Sequence, residues 1–195
     1  MIDRRIQGFL RTLDFWIVSG GNDGNIFLWD IQAKEPVKAF RQKGQVWAVA
    51  FSPDDKYIAS GGTDNTVRLW DLQSNPITVF QGHTDAVRTI AFSPNGQYIA
   101  SGSYDRTVKL WDLQGNLLST MQGHTDSIGS IAFSPDGQRI ESAGASADKT
   151  LRLWDLQGSP IGQPFQGHED NEDFLTMAET VNTDCDQNFW EQFDY

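Results

Sequence analysis

The most regular stretch of the chain alternates short apolar runs with turn residues, and it reads as four strands. Residues 87–92, Val-Arg-Thr-Ile-Ala-Phe, form a first run of β-formers. Ser93, Pro94, Asn95 and Gly96 then supply turn chemistry, and residues 98–101, Tyr-Ile-Ala-Ser, form a second run. A tight turn at Tyr104, Asp105 and Arg106 leads into residues 107–111, in which Lys109 is expected to point outward between apolar neighbours, and residues 116–121 make the fourth run. The whole unit recurs. Trp-Asp stands at Trp29, Trp70, Trp111 and Trp154, spaced by 41, 41 and 43 residues. Phe-Ser-Pro starts at Phe51, Phe92 and Phe133, and Gly-His starts at Gly82, Gly123 and Gly167, ahead of each place where a new unit begins.

Three series in register define a repeat, and four strands in roughly 41 residues make one antiparallel blade of an all-β propeller. With Trp-Asp, Gly-His and Phe-Ser-Pro in step, the chain resembles the WD-repeat family over about residues 15–168. Phrases such as Thr66-Val-Arg-Leu-Trp-Asp-Leu72 are similar to the nearly identical repeat arrays of its bacterial members. The resemblance implies a β-propeller in which each blade is tied by a hydrogen-bond network of His, Ser, Asp and Trp. Buried polar groups need partners, and here they supply one another. The third blade would use His83, Ser101, Asp105 and Trp111, and the fourth His124, Ser142, Asp148 and Trp154. The second has Ser60, Asp64 and Trp70, but Arg41-Gln42 stands where Gly-His belongs; the first has Ser19, Asp23 and Trp29 with no upstream His. Those two blades are expected to be less well tied. The fourth is two residues longer before Asp148, which predicts a lengthened turn, and it carries Glu141 where the others have Ala59 and Ala100.

The expected organisation is a degraded first strand or extension over residues 1–14, blades over 15–44, 45–85, 86–126 and 127–168, and an acidic tail over 169–195. The 41-residue offset places the first blade's innermost strand at residues 5–10, whose sequence fits the pattern poorly. Four blades are visible against the roughly seven that the resemblance implies, so an open or incomplete propeller is expected. Closure through His168 onto Ser19, Asp23 and Trp29 is the rival reading. A short amphipathic helix is expected over residues 171–181, where Phe174, Met177, Ala178 and Val181 fall at helical spacing.

Charge separates the body from the tail. Of 26 acidic residues nine lie in residues 169–195, which hold no Lys or Arg; the rest of the chain sets 17 acids against 15 Lys and Arg. A net charge of −11 without a basic cluster argues against nucleic acid and against anionic membranes. The single Cys185 requires no oxidising compartment, and a cytoplasmic setting is expected.

Ser, His and Asp recur together, yet an active site is normally singular whereas an architectural set repeats. Three His on successive blades diverge around an axis and suit no metal. Asp184, Asp186 and Asn188 open like a calcium loop, but Phe189 takes its Gly position and Tyr195 its Glu position. No nucleotide, zinc-protease or hydrolase motif is present, so no enzyme activity, cofactor or metal is expected. The resemblance implies instead a protein-interaction scaffold that takes protein partners on the narrow face of its blades. The exposed positions there would be Trp47, Arg88 and Gly129; Gln45, Ala86 and Ser127; and Thr63, Tyr104 and Ala147. Trp47, Arg88 and Tyr104 are of the types that dominate interfaces. Packing of Trp47 against the first blade is the competing reading. Self-association, with two chains pairing their open ends as a homodimer, is the alternative function, alongside a regulatory portion separated from a catalytic domain. The aromatic-rich acidic tail would dock a basic groove or simply solubilise.

Overall fold

The computed structural model describes residues 2–4, 16–30, 35–145 and 147–166, the first three by backbone only. Among them there is no helix, and none long and apolar enough to cross a membrane. The chain is all-β. The first sheet joins β1 (Ile2–Arg4), β2 (Trp16–Gly20), β3 (Asn25–Asp30) and β4 (Glu35–Arg41). The second joins β5 (Val46–Phe51), β6 (Tyr57–Gly62), β7 (Thr66–Asp71) and β8 (Pro76–Gln81). The third joins β9 (Val87–Phe92), β10 (Tyr98–Ser103), β11 (Thr107–Asp112) and β12 (Leu117–Gln122). The fourth joins β13 (Ile128–Phe133), β14 (Arg139–Gly144), β15 (Thr150–Asp155) and β16 (Pro160–Gln166). Each sheet is an antiparallel meander; the inner strands β5, β9 and β13 pack in succession, and β2, the second strand of the first sheet, packs on β5. The result is an open arc of four propeller blades.

The repeated motifs are turn devices. In Phe-Ser-Pro the buried serine is the anchor: Ser93 Oγ accepts the Tyr98 N–H at 2.9 Å and donates to Asn95 Oδ1 at 2.7 Å, and Ser52 and Ser134 do the same for Tyr57 and Arg139. The aspartate of Trp-Asp closes the next hairpin. Asp112 Oδ1 accepts the N–H groups of Gln114 and Asn116 at 3.0 and 2.9 Å, and Asp71 repeats this with Gln73 and Asn75. Hydrogen bonds from Asn116 and Asn75 hold both carboxyls below their ordinary range. The residue after each network aspartate has positive φ: Gly24, Asn65, Arg106 and Lys149. Only glycine adopts that region freely.

The core lies between blades rather than inside them. Ala59, Val67, Leu69 and Phe80 on the back of the second blade pack on Val87, Ile90, Ile99 and Trp111 on the front of the third. Corresponding sets fill the junctions on either side. Gly20, Gly61 and Gly102 permit this approach, since a Cβ there would meet Val46, Val87 and Ile128 at 2.4 to 2.6 Å.

One expectation needs revision. Lys109 does not point outward: it is 8% exposed, and its ammonium donates to Thr120 Oγ1 at 3.1 Å. Residues 5–10, where the first blade's innermost strand is expected, lie outside the described residues; β1, three residues long, pairs with β2 from Ile2 to Arg4. His168, the helix expected over 171–181 and the rest of the tail also lie outside them.

Candidate functional site

Each complete network is a relay of donors. In the third blade Trp111 Nε1–H donates to Ser101 Oγ at 2.8 Å, Ser101 Oγ lies 2.8 Å from His83 Nε2, and His83 Nδ1 lies 2.7 Å from Asp105 Oδ2. A neutral imidazole with its proton on Nδ1 completes the sequence Trp to Ser to His to Asp. In the fourth blade Trp154 donates to Ser142 at 2.8 Å, Ser142 meets His124 Nε2 at 2.6 Å, and His124 Nδ1 meets Asp148 at 3.0 Å. The lengthened turn before Asp148 is absorbed by the N–H groups of Asp148 and Lys149, which both donate to Ala145 O, so the aspartate keeps its place.

Electrostatics follow from burial and bonding. Burial pushes the Asp148 carboxyl up, but hydrogen bonds from the Thr150 hydroxyl, Thr125 N–H and His124 outweigh it and bring its pKa to about 2. Asp105 is likewise raised by burial and lowered further by His83 and Thr107, ending well below the carboxylate range. His124 is pulled down by burial, only partly offset by Asp148. These groups are satisfied, buried and directed at one another.

The second blade departs from the expectation of a loose network. Gln42, 3% exposed, takes the histidine's place: Ser60 Oγ donates to Gln42 Oε1 at 2.6 Å, Gln42 Nε2 donates to Asp64 at 3.3 Å, and Trp70 donates to Ser60 at 2.8 Å. A carboxamide offers one acceptor and one donor, as a neutral imidazole does. The sequence held the signal, because Gln42 precedes Ser60 by 18 residues, as His83 precedes Ser101. Asp64 also receives Arg68 Nη2 at 2.6 Å. In the first blade Trp29 donates to Ser19 at 2.8 Å, while Asp23 turns to Asn25.

The rim where the chain enters each inner strand gathers the other candidates. The rings of Trp47 and Tyr104, from the second and third blades, lie 5.6 Å apart, and the Arg88 guanidinium sits 5.5 Å from the Tyr104 centroid. Tyr104 is 43% exposed. Trp47 Nε1 donates to Gln45 Oε1 at 3.0 Å, and the Gln45 N–H donates to Thr63 Oγ1 at 2.9 Å, so both residues brace the indole. Gln45 and Thr63 also line a groove of about 640 Å³ with Asp23, Arg41 and Lys43. Tyr104 directly precedes Asp105, so the network fixes the backbone that carries it. Ser127 is 4% exposed and Ala86 6%, and neither joins the exposed cluster.

A family model described as WD domain, G-beta repeat, matches residues 10–30, 34–71, 74–112 and 115–155. No curated protein matches the chain.

Proposed function

The chain belongs to the WD-repeat family, whose repeats generally serve as protein-interaction scaffolds, and on that premise we propose that it is a non-catalytic scaffold capturing a protein partner on the rim around Trp47, Arg88 and Tyr104. The observation that carries this reading is the contact between Trp47 and Tyr104 across two blades, with Arg88 beside the tyrosine ring. Unlike the relay, this cluster occurs at a single place among the described residues. It combines the three side-chain types that contribute most to binding energy, and its indole is held by Gln45, whose own N–H is tied to Thr63. Preorganisation of that kind lowers the entropy lost on binding. A partner segment with an apolar side chain beside a carboxylate fits the chemistry, the first against the rings and the second on Arg88.

Site-specific photo-crosslinking tests this. A benzophenone amino acid replaces Tyr104 in one protein and Gln97, on the opposite rim, in another. The expected outcome is a discrete adduct from position 104 and none from 97. Equal adducts from both, or none from 104, would contradict the assignment.

A further inference from the structure

The link between the first and second blades departs from its two counterparts. Aligned on the relay member, Gln42 matches His83 and His124, each 18 residues ahead of its serine. The next two residues are Lys43 and Gly44 here, but Thr84 and Asp85, then Thr125 and Asp126, at the following links. Arg41 stands where those links have Gly82 and Gly123. Asp85 and Asp126 each accept the N–H of the next residue, Ala86 and Ser127, at 2.7 Å. No such side chain fits at Gly44: its φ is 78°, and a Cβ there would meet Thr63 Oγ1 at 2.6 Å. That hydroxyl is held in place by the Gln45 N–H, which donates to it at 2.9 Å. The first of the three links thus loses an acid and gains two cations.

Both cations line the groove of about 640 Å³ and are exposed, whereas Gln42 between them is buried. Asp23 is the one acid among the described residues that line it. Its two oxygens are engaged by the Asn25 N–H and Nδ2 at 3.1 and 2.6 Å. The groove therefore holds a surplus positive charge on a chain whose net charge is −11. It is also continuous with the aromatic cluster. Gln45 and Thr63 line it, and Gln45 Oε1 accepts the Trp47 indole N–H at 3.0 Å. Trp47 meets the Tyr104 ring, and Tyr104 meets Arg88. One strip across the second and third blades thus runs from two cations, over two aromatic rings, to a third cation.

On the premise that this rim captures a partner, we propose that what it captures is an extended acidic segment of another protein. An apolar side chain of the segment lies on Trp47 and Tyr104, and its carboxylates enter the groove onto Arg41 and Lys43. The groove falls within the volume range that seats organic ligands, about 300–1,000 Å³, and is larger than one inorganic anion fills. Alternate side chains of an extended segment point to the same side, so two carboxylates enter together. Two cations are too few to hold a nucleic acid against the net charge of −11. Such rim charges set association rate and salt dependence, so binding weakens as salt is added.

Random peptides displayed on phage and panned on the full chain supply the probe. The enriched peptides are expected to join an apolar residue to two or more Asp or Glu. For the most enriched peptide, synthesised and labelled, Arg41→Glu combined with Lys43→Glu should weaken binding by about tenfold or more. Arg41→Gln with Lys43→Gln should weaken it less, and Trp47→Ser with Tyr104→Ser by about tenfold or more. Circular dichroism checks the folding of each variant, and the glutamine pair keeps the test if the charge reversal does not fold. Loss in the rim variant alone overturns the groove assignment and leaves the rim standing. Loss in the groove variants alone overturns capture at the rim and leaves an acidic-segment site in the groove. Enrichment without acids, or no enrichment, overturns the proposal. So does a benzophenone amino acid at position 43 that crosslinks only to residues 169–195 of its own chain, since the acidic tail is then the occupant.

Discussion

In the third blade an imidazole, His83, stands between Ser101 and Asp105; in the second a carboxamide, Gln42, stands between Ser60 and Asp64. Both relays begin at a tryptophan N–H 2.8 Å from a buried serine, and both end at an aspartate. The blade needs one acceptor facing serine and one donor facing aspartate, and it is indifferent to which side chain brings them. The two blades differ in how tightly the aspartate is held. The imidazole bond is shorter, 2.7 Å against 3.3 Å, while the weaker amide contact is accompanied by the Arg68–Asp64 ion pair at 2.6 Å.

The largest way to break both blades alike is to remove the ring that starts the relay. Trp70→Ala and Trp111→Ala should each cost about 3–5 kcal/mol in chemical denaturation, because each empties a blade junction. Ser60→Ala and Ser101→Ala leave the indole N–H and one relay member unpaired, and should cost about 1–3 kcal/mol each. A middle-sized test separates shape from charge: His83→Gln should lie within about 1 kcal/mol of the parent, whereas His83→Leu and Gln42→Leu should each lose about 1–3 kcal/mol. If His83→Gln is as damaging as His83→Leu, the two blades are not equivalent.

Acid sharpens the same contrast, since a carboxamide does not titrate. Folding favours neutral His124, whose pKa lies below its ordinary 6.5, so its contribution is full above that value and declines as the pH falls. Asp148 contributes above its ordinary 3.8, and that part is lost as the pH drops towards about 2. Melting temperatures of the parent and His124→Gln at pH 7, 5 and 3 should converge as the pH falls from 7 to 5. The smallest effect concerns turns. Lys149→Gly should gain about 0.5–1 kcal/mol by relieving a positive φ of 56°.

Much of the fold was legible in the residues themselves. Trp-Asp, Phe-Ser-Pro and Gly-His marked the blades and hairpins, because each motif does local work that repeats. What escaped was chemistry that changes residue type while keeping geometry, as at Gln42, and contacts that join blades rather than positions. The buried ammonium of Lys109 is invisible to strand alternation, since its partner Thr120 lies on the next strand. Ser127 matches Gln45 by repeat position yet is buried, and the backbone does not distinguish them, since Ala145 N–H donates to Ser127 O as Thr63 N–H donates to Gln45 O; the difference lies in the side chains. The meeting of Trp47 with Tyr104 needed the spatial order of two blades, which no single repeat encodes.

The central claim is that the recurring relay is architecture while the singular rim cluster captures a partner. Affinity capture with quantitative mass spectrometry addresses it directly, using the parent, Trp47→Ser combined with Tyr104→Ser, and His83→Gln. The rim variant is expected to melt within a few degrees of the parent but to retain less than a tenth of the captured partner, while His83→Gln retains nearly all of it. A folded rim variant that keeps its partner undiminished would contradict the claim.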